Sequence, residues 1–435
     1  MSIVNVNFNN IIGKIKPMHA VNNGPIKGGY EQVRSNFDDF KAAKIPFVRN
    51  HDASFCSSYG GEHTVDVHAI FPNFDADPYD PASYDFFYTD KYTRTILEAG
   101  SEVYYRLGSK IEHGEKKYGT IVPKDFKKWA VICEHIIRHY NEGWADGFHW
   151  NIRYWEIWNE PDGVAAGGDK PNWSGTVEQF YEMYSIASRH LKTCFPDLMI
   201  GGPAMWPVNG FLQYQKRENA PVDFLPWHWY GMEPKHVARS ACHIREILDQ
   251  EGFANAELHM GEWNYLENWT DKFVSSVETI IGMRGAAFNA SVMCTGQKAP
   301  VDMLMYYDAR VSTAFNGMFD FYTLRPLKGY YPFKMFSALY ELGGEAETFS
   351  DDENVYVTAA GDGQRHGAMI AYYSVDKNAG PKVVNLNIHG QNEKKLRYYL
   401  LDEHRTMAEM PVPADMRLRL EPHSVVLVTD YCIHD

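Results

Sequence analysis

Tyr154-Trp155-Glu156-Ile157-Trp158-Asn159-Glu160-Pro161-Asp162 is a short apolar-aromatic run that ends abruptly in a carboxylate. Four or five apolar residues bounded by Asn, Pro and Asp are the pattern of a buried strand leading into a loop. Seven comparable runs surround it: Ile15–Val21, Pro46–His51, Glu102–Leu107, Met199–Gly202, Phe224–Trp229, Glu257–Met260 and Met303–Tyr307. Longer amphipathic segments lie between them. Tyr30–Ala43 sets Val33, Phe37 and Phe40 on one face. Asp125–Tyr140 does the same with Trp129, Cys133, Ile136 and Tyr140, and Val177–Thr193 and Val237–Gln250 follow suit. Apolar residues at i, i+3, i+4 and i+7 are the helical signature.

Eight strand–helix repeats predict an α/β fold, a closed (β/α)8 (TIM) barrel. An open doubly wound sheet is the alternative. Such a sheet usually carries a phosphate-binding glycine loop after its first strand, and this chain has none there. From Glu345 the pattern changes to short alternating runs (Val355–Ala359, Ala368–Tyr373, Val383–Ile388, Leu396–Asp402, Met416–Leu420, Val425–Thr429) separated by Gly, Asn, Asp and Pro. These read as an accessory antiparallel β-sandwich. The run Ser2–Ile12 alternates in the same way and is expected to join that sandwich. The expected division is 13–343 for the barrel and 1–12 plus 344–435 for the sandwich. Asp52–Asp90, long and rich in Pro, Asp and aromatics, is expected to lie over the barrel mouth.

The chain has 435 residues, 45% of them hydrophobic, and a formal net charge of -14. That balance suits one large and one small domain and argues against nonspecific binding to nucleic acid or an anionic membrane. The N-terminus lacks a basic start and an apolar core, so it does not read as a secretion signal. No window has membrane-spanning length. The six cysteines are scattered without a CxxC pair, and the expectation is a reduced, cytoplasmic protein.

In a (β/α)8 barrel the site forms where the strands end at their C-terminal side. Glu160 lies just past the fourth run. Glu262, in Glu257-Leu258-His259-Met260-Gly261-Glu262-Trp263-Asn264, lies just past the seventh. Two carboxylates at one mouth are the equipment of glycosidic bond hydrolysis. Trp155, Trp158 and Pro161 surround Glu160 with apolar bulk, which favours a protonated acid. The competing reading of Glu160 is a carboxylate at a helix N-terminus, with Pro161 at the first helical position. His135 and His139 stand four apart on a helix, but Ile136 occupies the place of a metalloprotease glutamate and no third ligand is evident, so no metal and no cofactor are expected.

Trp158-Asn159-Glu160-Pro161 resembles the acid/base signature of the clan of retaining (β/α)8 glycosidases, and Gly261-Glu262-Trp263-Asn264 resembles its nucleophile segment. Within that clan the chain is similar to glycoside hydrolase family 39, which contains β-xylosidases and α-L-iduronidases. Val21-Asn22-Asn23-Gly24-Pro25, Val48-Arg49-Asn50-His51, Ile70-Phe71-Pro72, Gly201-Gly202-Pro203-Ala204 and Trp227-His228-Trp229-Tyr230 carry that similarity. The resemblance implies Glu160 as acid/base, Glu262 as nucleophile, Asn159 at the sugar 2-hydroxyl and Tyr230 on the nucleophile. His51 and His228 would line the subsite of the non-reducing sugar; for each, a satisfied core histidine is the other reading. Trp263 and Trp206 are candidate stacking platforms; for each, core packing is the other reading.

After the eighth run, Met305-Tyr306-Tyr307-Asp308-Ala309-Arg310 replaces the Trp-centred segment expected of xylosidases. Asp308 is a candidate for gripping hydroxyls, and Arg310 or Arg325 for pairing with a carboxylate, with a plain surface ion pair the other reading of either arginine. The expected function is thus a retaining, exo-acting, β-xylosidase-like hydrolase acting on short oligosaccharides or glycosides. Its alternatives are a glycosidase for another sugar (an α-L-arabinoside, a β-glucoside or β-galactoside, or a uronic acid such as iduronide) and an inactive sugar-binding relative. The resemblance also implies a homo-oligomer.

Overall fold

The computed structural model describes residues 2–28, 34–50, 65–109, 117, 119–162, 172–390 and 396–433. Among the described residues, one parallel sheet of eight strands has the order β6-β5-β4-β3-β2-β9-β8-β7. Its members are β2 (Ala20–Asn22), β3 (Phe47–Asn50), β4 (Glu102–Leu107), β5 (Tyr154–Ile157), β6 (Met199–Gly201), β7 (Phe224–Gly231), β8 (Glu257–Tyr265) and β9 (Met303–Tyr306). Two backbone hydrogen bonds bring β6 and β7 together. Asp223 N–H donates to Ile200 O at 2.9 Å, and Gly202 N–H to Phe224 O at 3.2 Å. The sheet is therefore a nearly closed barrel, with a strand matching each of the eight runs in the sequence.

The outer layer comprises α1 (Phe37–Ala42), α2 (Val67–Ile70), α3 (Phe87–Glu98), α4 (Phe126–Asn141), α5 (Val177–Cys194), α6 (Asn209–Arg217), α7 (Lys235–Glu251), α8 (Phe273–Ile280), α9 (Met283–Lys298) and α10 (Tyr331–Leu342). Local chemistry sets their ends. Asp125 caps α4 by accepting from the backbone N–H groups of Lys127 and Lys128. Thr176 and Gln179 form a reciprocal capping box at α5. Gly252 ends α7 in the left-handed conformation with φ +92°. The first helix is shorter than its apolar spacing predicts. Asn36 is held in a turn, because its N–H bonds Ile26 O and its Oδ1 accepts from Ile26 N–H, so the helix starts only at Phe37.

Strand alternation sorts the barrel residues into two environments. Ala20, Phe47, Tyr104, Tyr154, Phe224, Met303 and Met305 share one cluster that fills the barrel floor. Their neighbours Val21, Val48, Val103, Trp155, Leu225, Leu258 and Leu304 belong to the separate core beneath the helices. The bottom of the barrel is thus plugged by aromatic and thioether side chains, and the site is built above that plug.

The second sheet has the order β15-β14-β17-β12-β11-β10-β1-β13-β16. It contains β1 (Ser2–Lys14), β10 (Gly344–Ser350), β11 (Val355–Gly361), β12 (His366–Tyr372), β13 (Lys382–His389), β14 (Arg397–Leu401), β15 (Ala408–Met410), β16 (Arg417–Leu420) and β17 (Ser424–Thr429). Residues from both ends of this order, among them Val4, Val6, Leu386 and Leu418 on one side and Ile370, Leu400 and Val428 on the other, share one core. The sheet therefore wraps into a sandwich. Its opposite face, including Met369, Ala371, Leu401 and Leu427, joins the barrel core alongside Phe333, Phe336 and Leu339 of α10. One pairing departs from the expected antiparallel pattern: β1 runs parallel to β13. No helix among the described residues is long and apolar enough to cross a membrane. Cys133, Cys194, Cys242, Cys294 and Cys432 are free thiols.

β1 lies in the interior of its sheet, paired with β10 on one side and β13 on the other. Deleting residues 2–12 would strip two strand edges and remove the buried side chains of Val4, Val6 and Phe8, each contributing about 1.5–3 kcal/mol. The shortened chain is expected to aggregate, or to unfold at least about 10 °C below the full chain in thermal circular dichroism.

Candidate active site

Two charged side chains from the short strands meet just above the barrel floor. Arg49 of β3 and Glu156 of β5 are both fully buried. Arg49 Nε donates to Glu156 Oε2 at 2.6 Å and Nη2 to Oε1 at 3.0 Å, a bidentate pair. The same guanidinium reaches three further acceptors: Asn22 Oδ1 at 3.0 Å, Asn159 Oδ1 at 2.7 Å and Glu262 Oε1 at 2.9 Å. Burial works against its charge, but Glu156 and then Glu262 outweigh burial and hold the guanidinium above its ordinary pKa.

Glu262 reaches this position through a bulge. On β7 and β8, Trp227 pairs with Met260, whereas His228 pairs with Glu262. Gly261 is the extra residue, and it resets the alternation so that Glu262 and His259 face inward although they are three apart. Its carbonyl is held by Asn22 Nδ2 at 2.8 Å. A Cβ there would sit 3.3 Å from both His228 Nε2 and Pro226 Cβ, so the bulge suits glycine. Tyr230, inward on β7, donates its hydroxyl to Glu262 Oε2 at 2.7 Å. Burial, followed by the Glu262 charge, pushes the Tyr230 phenol well up and preserves it as a donor. Each oxygen of Glu262 thus has a donor, one of them cationic.

Glu160 sits across the opening. Its backbone and that of Trp158 take positive φ values, 44° and 68°. Anchors on each side hold this unfavourable geometry: Trp158 N–H to Leu107 O at 2.7 Å, the Trp158 indole N–H to Asn172 O at 2.8 Å, and Glu160 N–H to Ala204 O at 3.0 Å. Pro161 and Asp162 take a turn, and residues 163–171, where a helix would continue, lie outside the described residues. His228 Nδ1 lies 2.6 Å from Glu160 Oε1 and 3.6 Å from Glu262 Oε2. Donor atoms of Glu160, His228 and Glu262 all fall within 4.8 Å of one another. That spacing would also admit a divalent cation, which would have to share Glu262 with Arg49 and Tyr230.

Asn159 and His228 each present an unanswered group. Arginine only donates, so the Asn159 atom facing Arg49 must be oxygen, and its amide NH2 points the other way without a hydrogen-bond partner. The buried Nε2 of His228 is likewise unpartnered.

Two site expectations change. Trp263 offers no stacking face: one residue beyond Glu262, it points outward, fully buried against Tyr306 (ring centroids 5.3 Å) and Phe288 (6.2 Å). Trp206, 52% exposed, and Trp269, 43% exposed, keep open surface. Trp269 also lies edge-on to Tyr230 at 5.2 Å. Asp308 is fully buried and braces its own loop instead of gripping hydroxyls. It accepts from Asn23 Nδ2 at 3.0 Å and Arg310 N–H at 2.6 Å, with Arg310 Nε 3.5 Å away. His51 and residues 52–64 lie outside the described residues. Glu156, facing inward on its strand, calls for a buried arginine, Arg49 or Arg153, and Arg49 is that partner; motif spacing alone does not single it out as the hub of five bonds. The signal available was a cation inside a strand otherwise made of Phe47, Val48 and Asn50, which folding can tolerate only with buried partners.

The model of Glycosyl hydrolases family 39 matches residues 61–375, well over half of the chain. The chain belongs to this family. It is 24% identical to a β-xylosidase of Geobacillus stearothermophilus over 215 residues, 42% of this chain and 41% of that one. With a β-xylosidase of Caldicellulosiruptor saccharolyticus it shares 26% over 162 residues, 34% and 31% of the two chains. The aligned stretches thus span less than half the length of either relative. Among solved structures, a glucosidase from Croceicoccus marinus superimposes with a TM-score of 0.80 at 23% identity, over 99% of this chain and 98% of that one. A monomeric β-xylosidase from Caulobacter crescentus CB15 gives 0.71 at 15%, over 99% of both. At these identities the likeness establishes the barrel-plus-sandwich architecture.

Arg49→Lys keeps the charge but loses the fork, so one ammonium cannot serve Glu156, Glu262 and Asn159 together. The expected result is a fall of about 10²–10³-fold in kcat/KM on an aryl glycoside, carried mainly by kcat, together with about 3–5 kcal/mol lost in urea denaturation. Asp162 yields a pH prediction. Burial, with the Glu160 charge adding to it, raises its carboxyl to about 6 even though Trp206 N–H donates to it at 2.7 Å. Above that pH Asp162 is an anion beside Glu160 and opposes a second negative charge there. Asp162→Asn removes that opposition, so the alkaline limb of the kcat/KM profile should move to lower pH. The same raised value means Asp162 stabilises the fold below about pH 4 and loses that contribution as pH rises through 6.

Proposed function

We propose that this chain is a retaining, exo-acting glycoside hydrolase, β-xylosidase-like, with Glu262 as nucleophile and Glu160 as acid/base. The observation that carries the reading is the proximity of Glu160 and Glu262, whose nearest donor atoms lie within 4.8 Å across one opening. Retaining glycosidases hold their carboxyl groups about 5–5.5 Å apart, whereas inverting ones need about 6.5–9.5 Å to admit a water.

The environments suit the two roles. Glu262 is buried with a guanidinium on one oxygen and a phenol on the other, an arrangement that favours the anion needed for attack. Glu160 has no cationic arginine or lysine bonded to it among the described residues, and its side chain is 31% exposed, so it can meet both the leaving oxygen and an incoming water. In the first step Glu262 bonds the anomeric carbon as the glycosidic C–O bond breaks, and Glu160 gives its proton to the departing oxygen. In the second, Glu160 takes a proton from water, the water oxygen bonds the anomeric carbon, and Glu262 leaves as carboxylate. The free amide NH2 of Asn159 is the donor for the sugar 2-hydroxyl, and His228 steadies Glu160 through both proton transfers.

A neutral sugar fits the strand-end loop better than a uronic acid. Arg310, one candidate partner for a substrate carboxylate, is already answered by Asp308 at 3.5 Å. The β-xylosidase relatives support a pentoside first and the glucosidase neighbour a hexoside second. We also propose that residues 13–343 form the catalytic unit and 1–12 with 344–435 its accessory sandwich.

A 2-deoxy-2-fluoro xyloside with a good leaving group tests the mechanism. The expected outcome is a stable covalent adduct on the peptide containing Glu262, with no adduct on Glu262→Ala. Glu160→Ala should lose at least about 10³-fold in turnover on substrates with poor leaving groups. Wild-type turnover in either variant would overturn the reading, and an absent adduct with intact sugar binding would mark a binding protein instead.

A further inference from the structure

Glu134 of α4 and His190 and Cys194 of α5 form a cluster on the outer helical layer that the proposed chemistry does not use. His190 and Cys194 are one helical turn apart and so share a face of α5. Glu134 reaches them from the neighbouring helix, with Oε2 2.6 Å from His190 Nε2. Cys194 Sγ lies 4.0 Å from the same nitrogen, and the three donor atoms fall within 4.8 Å of one another.

We infer that Glu134, His190 and Cys194 form a binding site for a zinc-class transition metal that clamps α4 to α5. The donor set is the first argument. Thiolate, imidazole and carboxylate together select zinc-like ions over magnesium or calcium, which prefer oxygen alone. Geometry is the second. Tetrahedral zinc with bonds of about 2.0–2.3 Å holds its ligand atoms roughly 3.4–3.6 Å apart. Moving from 4.0 Å and 2.6 Å to that range takes changes below about 1 Å at side chains that are all partly exposed. Support around the ligands is the third. Arg138 Nε donates to Glu134 Oε1 at 2.7 Å, which aims Oε2 at the site, and such outer contacts are how metal-binding carboxylates are oriented.

Charge balances as well. A divalent ion with one carboxylate, one thiolate and a neutral imidazole is neutral overall, so Arg138 can stay where it is. Burial, followed by the Glu134 charge, raises the Cys194 thiol, and the thiol releases its proton to solvent when the metal binds. Partial exposure leaves the fourth position to water.

The test uses the full chain, freed of metal by chelation and gel filtration, titrated with cobalt(II) and then zinc(II). One equivalent of cobalt should give the near-ultraviolet absorption of a thiolate-bound ion, and zinc should abolish it. Cys194→Ser should lose the band while retaining glycosidase turnover. Cys242→Ser, at an exposed thiol elsewhere, should keep it. Glu134→Gln should weaken binding about 10–100-fold. Zinc at about 100-fold above Kd should raise Tm by about 3 °C in the wild type and leave Cys194→Ser unchanged. The proposal is overturned by the absence of a thiolate band, by a band that survives Cys194→Ser, or by zinc binding that competes with substrate and persists in that variant. The last result would place the ion among Glu160, His228 and Glu262.

Discussion

A single buried guanidinium organises this molecule's chemistry. Arg49 sits where water does not reach, and an isolated charge there would cost several kcal/mol. Five hydrogen bonds to four side chains offset that cost, and they fix those side chains relative to one another. β2 supplies Asn22, β5 supplies Glu156, the loop after β5 supplies Asn159 and β8 supplies Glu262. Residues far apart in the chain are thereby held to one guanidinium by bonds of 2.6–3.0 Å. Two carboxylates against one guanidinium leave an excess negative charge, which Glu156, deeper and doubly bonded, cannot offer to a ligand. The accessible share of that charge rests on Glu262, under the opening.

Around this hub the fold accepts local penalties. Positive φ at Trp158 and Glu160 costs on the order of 1–3 kcal/mol each. The bulge at Gly261 interrupts the β7–β8 ladder. The Asn159 amide and His228 Nε2 are buried donors or acceptors without partners, each costing about 1–3 kcal/mol while it stays so. All of these features lie within a few residues of Glu160 or Glu262 or, like His228, in contact with them, and none lies in the aromatic plug beneath. A polar ligand that hydrogen-bonds the two unanswered groups would recover their desolvation cost on binding.

How much of this the sequence carried depended on the range of the interaction involved. All eight barrel strands were legible because each is a short buried apolar run between breakers, a local property. The caps at Asp125 and Thr176 depend on contacts just as local, although the apolar spacing marked only the helices and not their caps. Glu160 and Glu262 stood out because strand ends at one barrel face converge by topology alone. Trp263 was misread because its direction depends on Gly261, and a bulge is set by pairing with β7 and not by the residues of β8. Asp308 was misread for a similar reason: the partners that bury it, Asn23 among them, come from the other end of the barrel sequence. β10 and β15 escaped notice because their exposed and half-exposed residues, such as Glu345, Glu347 and Glu409, blur the apolar alternation.

The sandwich has a physical role in this arrangement that its distance from Glu262 conceals. Its inner face keeps the core around Val4 and Ile370, while its outer face shares the barrel's own core through Met369 and Leu427 against α10. β9 directly precedes the loop holding Asp308 and Arg310, and α10 follows that loop. Lys328, at the entry to α10, donates to the carbonyls of Asp402 and Arg405 in the sandwich. The segment between β9 and α10 is therefore fastened at both ends, by Asn23 in the barrel and by the sandwich beyond. The loop packs Tyr307 and Phe315 against Tyr230 (ring centroids 6.3 and 5.4 Å), so holding it at both ends steadies the phenol that bonds Glu262. Anchoring it to a second folded layer achieves that without adding any residue to the mouth itself.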